Sequence, residues 1–299
     1  MPAAPIAGIL FGSPGAGSFV AAGEAAFARA RAALGADIAV TYLDRTDPAS
    51  RLERLRRVLA ARPALVVLHG AQGEALVESL APEAPRTLFA ISQGELTGPN
   101  IAAYEVALEQ PAYLAGALAG WMTRTGVVGH LSGERVRAGL KGCAAFAAGL
   151  GHARADARFV SEFCGAQHDA DLAAACVAAQ HRQGADIIFT MLGAGRAGAI
   201  RQCRELGVRQ IGDGIDWCAL EPEVFLAAAV AESGWGSFRA VADFLGGSFR
   251  PGAHVTVGLE DAQVCRLAIG RGVPDAVRAR VAQLAQQLPG GAALATQWD

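Results

Sequence analysis

The chain has 299 residues, of which 52% are hydrophobic and 18% charged, with 37 glycines. That composition supports a large self-sufficient core and argues against disorder, a coiled coil or collagen. The 26 basic and 28 acidic residues give a net charge of -2, and Lys141 is the sole lysine, which speaks against a general nucleic-acid or anionic-membrane surface.

Residues 1–8 carry no basic residue ahead of their apolar part and run straight into a strand-like segment, so they do not read as a signal peptide. The longest apolar runs, 64–68 and 225–231, are far short of the ~20 residues that cross a bilayer. Short β-rich runs alternate with Ala/Arg/Leu segments of helical period, the pattern of a parallel sheet with crossover helices on both faces. Strands are expected at 6–11, 38–43, 65–69, 88–91 and 101–104, with helices between them, among them 22–34 and 50–61. The pattern then restarts with strands at 127–131, 158–163, 186–191 and 209–212 and helices at 136–150, 171–183 and 197–206.

Two βα series predict an α/β chain of two Rossmann-like lobes. The remaining strands, 224–230 and 254–259, and helices, 236–245 and 275–287, are too few for a third domain and complete both lobes. The expected division is 1–123 with 232–252, and 124–231 with 253–299. Ligands of such sheets bind beyond the carboxyl ends of the strands, so two facing lobes would enclose one cleft.

Several segments could carry chemistry. The Gly-rich stretch Gly12-Ser-Pro-Gly-Ala-Gly-Ser18-Phe19 joins the first strand to the first helix, where backbone amides and one large ring can approach a ligand. It lacks the Gly-Lys-Ser/Thr ending of a phosphate loop, which excludes a nucleotide triphosphatase of that type. Phe19 reads equally as an aromatic platform or as a core residue. His69 ends the third strand and reads as a ligand contact or as a satisfied structural histidine. His168-Asp169 precedes a helix, with Asp169 as an N-cap and His168 free to face the cleft, while His181 with Arg182 reads as solvated helix surface.

Gly193-Ala-Gly195-Arg196-Ala-Gly198 has the local text of a dinucleotide fingerprint, with Asp213 roughly where a ribose-binding acid would stand. Its position after the third strand of its series also suits a close-packed, ligand-facing loop. Gly212-Asp213-Gly214-Ile-Asp216-Trp217 closes a strand with two carboxylates and an aromatic ring, suited to a polar planar ligand or to a turn that caps itself and buries its Trp. The six cysteines include no Cys-x-x-Cys pair and read as buried free thiols rather than a zinc site or disulfide framework. A nucleophile elbow and paired carboxylates on a helix face are both lacking, so neither an enzyme nor a metal or cofactor is expected.

Taken together, several stretches resemble the basic membrane protein family, the purine-nucleoside-receptor-like substrate-binding proteins of ABC transporters. They are Asn100-Ile101, the run Tyr113-Leu-Ala-Gly-Ala-Leu-Ala-Gly-Trp-Met-Thr-Arg-Thr-Gly-Val-Val-Gly129, Gly142 to Gly149 with Phe146, Gly165 to Asp169, Gly184-Ala-Asp-Ile-Ile-Phe189, Ala194 to Gly198, Ile211-Gly212, Gly234-Trp235-Gly236 and Gly258-Leu259. The resemblance implies a type I periplasmic-binding-protein fold, closure on a purine base or nucleoside, permease partners and an envelope location. In the absence of an export signal or lipoprotein cysteine, a cytoplasmic ligand sensor is the alternative.

Residue by residue, the resemblance puts Ser18-Phe19 at the family's base-contacting aromatic and Asp216 at its second turn aspartate. His69, Gln167, His168, Gly195, Arg196, Asp213, Trp217 and Trp235 complete the candidate ligand set. Three positions depart from the family pattern: Ala16 and Gly214 stand where aspartates are usual, and Gln167 where a stacking ring is usual.

Overall fold

The computed structural model describes residues 5–15, 17–45 and 47–288. Ala16 therefore lies outside the described residues. The chain divides into two compact units, Met1–Val106 with Glu232–Thr256 and Ala107–Ala231 with Val257–Asp299.

The first unit contains β1 (Ile6–Leu10), α1 (Gly17–Leu34), β2 (Ile38–Tyr42), α2 (Pro48–Ala60), β3 (Leu65–His69), α3 (Glu74–Leu80), β4 (Leu88–Ser92) and β5 (Ile101–Val106). The second begins with α4 (Glu109–Met122), β6 (Val127–Ser132), α5 (Arg137–Ala153), β7 (Arg158–Phe163), α6 (Ala170–Arg182), β8 (Ile187–Met191), α7 (Arg196–Leu206), β9 (Arg209–Gly214), the one-turn α8 (Trp217–Leu220) and β10 (Phe225–Ala231). The chain then adds α9 (Trp235–Leu245) to the first unit and β11 (His254–Val257) to its sheet. It closes with β12 (Cys265–Ile269) and α10 (Asp275–Gln287) in the second.

Each unit holds one six-stranded sheet, ordered β11-β5-β4-β3-β1-β2 in the first and β12-β10-β9-β8-β6-β7 in the second. From β2 through β5, and from β7 through β10, neighbouring strands pair in parallel, while β12 runs antiparallel to β10. Every residue of β1, β3, β5 and β8 is buried, as expected of central strands covered on both faces by helices. In the first unit Ile9, Leu55, Val66, Leu68, Phe89 and Ile91 share one core cluster. In the second, Phe146 stacks on Phe189 with centroids 4.7 Å apart on one side of the sheet. Leu131, Val177, Ile188 and Phe225 fill the other side.

The first crossing between the units corrects the sequence expectation. α4, expected to end the first lobe, packs on α5 in the second unit, and two glycines fix it there. A Cβ on Gly116 would overlap the carbonyl oxygen of Phe146, and one on Gly149 that of Tyr113, so the two backbones meet without side chains between them. The crossing accordingly falls between Val106 and Ala107, and the last one between Thr256 and Val257 rather than at 252–253. Strand β12 was not foreseen; its residues Arg266, Leu267 and Ile269 are only half-buried and give no alternating signal.

In both sheets the strand order changes direction between the first and third strands of the series. Those switch points, β1/β3 and β6/β8, are where open α/β sheets admit ligands beyond the carboxyl ends.

Candidate functional site

At the first switch point, β3 ends in His69, which is fully buried. One ring nitrogen, Nε2, lies 3.0 Å from the carbonyl oxygen of Phe19 and the other, Nδ1, 2.9 Å from Ser237 Oγ. A carbonyl only accepts, so Nε2 donates to it and Nδ1 accepts the Ser237 hydroxyl proton, which fixes the neutral tautomer. Burial pushes this imidazole down to about 4. The Phe19 ring stacks on the His69 ring with centroids 4.3 Å apart and an interplanar angle of 30°, while 36% of Phe19 stays exposed.

His69 is thus a shelf rather than a contact: both nitrogens are used inside the unit and none of its surface reaches solvent. Glycines let the neighbouring chain approach. A Cβ on Gly23 would lie 2.7 Å from the His69 ring, and one on Gly70, at φ 128°, would come within 3.2 Å of the Phe19 ring.

Helix α1 begins at Gly17, five residues before the expected start, so Ser18 and Phe19 belong to its first turn and both are exposed. Glu24, one further turn along, accepts from the Gly15 amide at 3.1 Å and from Tyr42 Oη at 2.7 Å, tethering the Gly-rich loop to α1 and β2. Trp235 opens α9 at only 9% exposure and belongs to the core of its unit.

At the second switch point the loop after β7 carries Gln167 and His168. The Gln167 carbonyl accepts from the amides of Gly193 and Gly195 at 3.0 and 3.3 Å, and its side chain fills the space that a Cβ on Gly133, just after β6, would take. Exposed His168 accepts at Nδ1 from the Ala194 amide, 3.2 Å away, so in the neutral ring Nε2 carries the proton. Asp169 caps α6 by accepting from the amides of Asp171 and Leu172, as expected.

Those bonds correct the dinucleotide possibility. The remaining amides of the Gly193–Gly198 stretch also donate internally, Arg196 to Gly193, Ala197 to Ala194 and Gly198 to Gly195, so no amide of this loop is left for a pyrophosphate. Gly195 is buried, and a Cβ on Gly198 would overlap the carbonyl oxygen of Ala170: these glycines let α7 lie against the start of α6.

Arg196 and Trp217, both in the expected ligand set, are held in one network with Asp213. Arg196 is 4% exposed; Nη1 donates to the Thr190 carbonyl and hydroxyl at 3.1 and 2.9 Å, and Nη2 to the Leu192 carbonyl at 2.9 Å and to Asp213 Oδ1. Its guanidinium sits 4.6 Å from the Trp217 ring centre, whose other neighbour is Phe225 at 5.6 Å, and Trp217 Nε1 donates to the Asp213 carbonyl at 2.9 Å. Asp213 is thereby committed to Arg196. Asp216 caps α8 through the Ala219 amide at 3.2 Å and pairs with Arg266 at 3.6 Å, leaving part of its carboxylate at the surface. Gly214, at φ 81°, occupies left-handed backbone with open space where a Cβ would stand.

Sequence reasoning missed Ser237, Thr190 and Arg266, which hold His69, Arg196 and Asp216 from other elements, and Glu24, which tethers the Gly-rich loop before Ser18. Only the polar character of Ser237 and Thr190 inside otherwise apolar segments hinted at them. Among the described residues no group of three or more His, Cys, Asp or Glu side chains could hold a metal ion, and no helix is long and apolar enough to cross a membrane.

The second unit contains a further buried histidine. His130 is bonded to Ser161 and Ser132 at 2.9 and 2.8 Å, and burial pushes it down to about 3. Both His69 and His130 titrate below their unfolded value of about 6.5, so the unfolded chain takes up more protons and stability present above that pH is lost as pH falls towards 4 and 3. Denaturant titrations at pH 7.5 and pH 4.5 are expected to show a loss of about 2 kcal/mol from each histidine. His69→Gln is expected to flatten its share of that dependence.

The sequence matches the family described as ABC transporter substrate-binding protein PnrA-like over residues 17–270. Basic membrane protein D of Borreliella burgdorferi is 31% identical over 124 residues, 41% of this chain and 36% of that one. A purine-binding protein of Brucella abortus is 25% identical over 211 residues, 69% of this chain and 58% of its own length. The chain therefore spans less than two thirds of the curated relatives it matches.

Two solved structures share the fold. A transcriptional activator of the comK gene from Bacillus halodurans superposes with a TM-score of 0.78 at 17% identity, covering 94% of this chain and 96% of that one. An ABC transporter solute-binding protein from Aeropyrum pernix gives 0.76 at 20%, covering 98% and 83%. With the family match extending over most of the described residues, the chain belongs to the PnrA-like family of ABC transporter substrate-binding proteins.

Proposed function

We propose that the protein binds, without transforming it, a small planar polar solute of the purine base or nucleoside class and delivers it to the permease of an ABC importer on the outer side of the membrane. The observation that carries this reading is the Phe19 ring, exposed on one side and held on the other by a histidine whose two nitrogens are tied down. A ring fixed in this way offers a stacking face at little entropic cost on binding, and stacking is indifferent to which base is offered. Ser18 beside it in the same helical turn supplies a hydroxyl that can donate to and accept from a polar ring edge. The purine class is supported by the Brucella abortus relative described as purine-binding.

Calorimetric titration with a panel of nucleobases and nucleosides tests the reading. One member is expected to bind, and Phe19→Ala is expected to weaken it at least tenfold, since a base–aromatic stack contributes about 1–3 kcal/mol. Phe19→Trp should keep the affinity. A folded protein that binds no member of the panel would remove the purine assignment.

A second reading, a ligand sensor that signals through a protein partner, is favoured by one observation, the likeness to the comK activator. The same ligand face would serve it. Co-purification with a permease supports transport, and co-purification with a regulatory partner in place of it supports the sensor.

A further inference from the structure

Cys164 and Cys176, among the six cysteines expected as buried free thiols, pack at one apolar cluster. Glu162 and Cys164 stand two residues apart at the end of β7 and immediately after it, so their side chains leave the same side of the strand. α6 lies on that side. Its Cys176 is buried and donates from Sγ to Glu162 Oε1 at 3.4 Å. Cys164, half-buried, donates to the carbonyl of Ala166 at 3.3 Å and packs against the apolar cluster that contains Cys176. Twelve residues apart in sequence, the two cysteines reach the same cluster because β7 hands the chain to α6 through one short loop, which carries Gln167 and His168.

We propose that Cys164 and Cys176 form a reversible disulfide closing the base of that loop. The oxidant is a small-molecule disulfide such as oxidised glutathione. The Cys164 thiolate attacks one of its sulfurs, giving a Cys164–glutathione mixed disulfide and one glutathione thiolate. Cys176, having lost its proton, then displaces the second glutathione from Cys164. Two protein thiols lose two electrons, the oxidant gains them, and the two protons end on the two released glutathiones. The order of attack follows from exposure: Cys176 is buried beside a carboxylate, and its thiol is pushed up to about 12, chiefly by burial, so it is a poor first nucleophile.

Peptide mapping of the unmodified chain tests this. Trypsin cuts after Arg158 and Arg182, and no Lys or Arg lies between, so Cys164 and Cys176 fall in one peptide, 159–182. Cleavage at Asp169 and Asp171 then separates the two cysteines. After oxidised glutathione treatment and alkylation of residual thiols, the two fragments are expected to stay joined, two hydrogens lighter, and to part on reduction. If both thiols are found alkylated or still carry glutathione, or if either is joined to Cys143, Cys203, Cys218 or Cys265, the proposal is overturned. A change in ligand affinity on oxidation would rest on the function proposed above; the peptide map reads the bond itself and stands whichever ligand is bound.

Discussion

Asp213→Ala is expected to lower the unfolding free energy by about 3 kcal/mol, read from denaturant curves followed by circular dichroism. The physical reason is Arg196. Its guanidinium is almost fully buried among Thr190, Leu192 and Trp217, and Asp213 is the sole carboxylate that ion-pairs with it among the described residues. Removing that carboxylate leaves a cation in the interior with three hydrogen bonds to neutral oxygens and no counter-charge. Asp213→Asn keeps an acceptor and should lose less. The double variant Arg196→Met, Asp213→Leu removes both charges together and should recover most of the stability, as buried ion pairs replaced by apolar side chains commonly do. A loss of ligand affinity with unchanged stability in Asp213→Ala would instead return Asp213 to the ligand set.

Gly198→Ala is expected to cost about as much, roughly 3 kcal/mol, at the upper end of overpacking effects. Its added Cβ would collide with the Ala170 carbonyl oxygen, a backbone atom that cannot rotate away, so α7 must move off α6 and take the Gly193–Gly195 loop with it. Gly151→Ala provides the control. That glycine is in α5, exposed, with nothing within 4 Å of the new methyl group. There the substitution should stabilise by up to about 1 kcal/mol, because alanine is the better helix former. Thermal melts of the two variants should shift in opposite directions. Equal small shifts would mean that α6 and α7 are not in the close contact described.

The fold was largely legible because hydrophobic period and strand length report on it directly. Segments such as 65–69 and 187–191 are short apolar runs between polar helices, and a parallel sheet is the economical way to bury them. The crossing before α4 was not legible, because what decides it is the approach of Gly116 and Gly149 to carbonyl groups thirty or more residues away in sequence. At the site, the sequence left Phe19 open between platform and core; the structure shows it 36% exposed and stacked on His69. The text Gly-x-Gly-x-x-Gly was misleading, since glycine allows close approach to a carbonyl as readily as to a phosphate. The packing partners of His69, Arg196 and Trp217 were closed to sequence reasoning: a polar residue at a strand end faces either ligand or a partner, and Ser237, Thr190 and Phe225 come from separate elements.

The most direct test of the central claim, that this chain holds a planar polar solute against Phe19, is native mass spectrometry of the purified protein. It should be taken as isolated and again after incubation with the purine panel, alongside Phe19→Ala. The expected result is one added mass equal to a purine base or nucleoside, retained by the original protein and by Phe19→Trp and reduced or absent in Phe19→Ala. A retained compound without a planar ring, or a folded protein that stays empty throughout the panel, would contradict it.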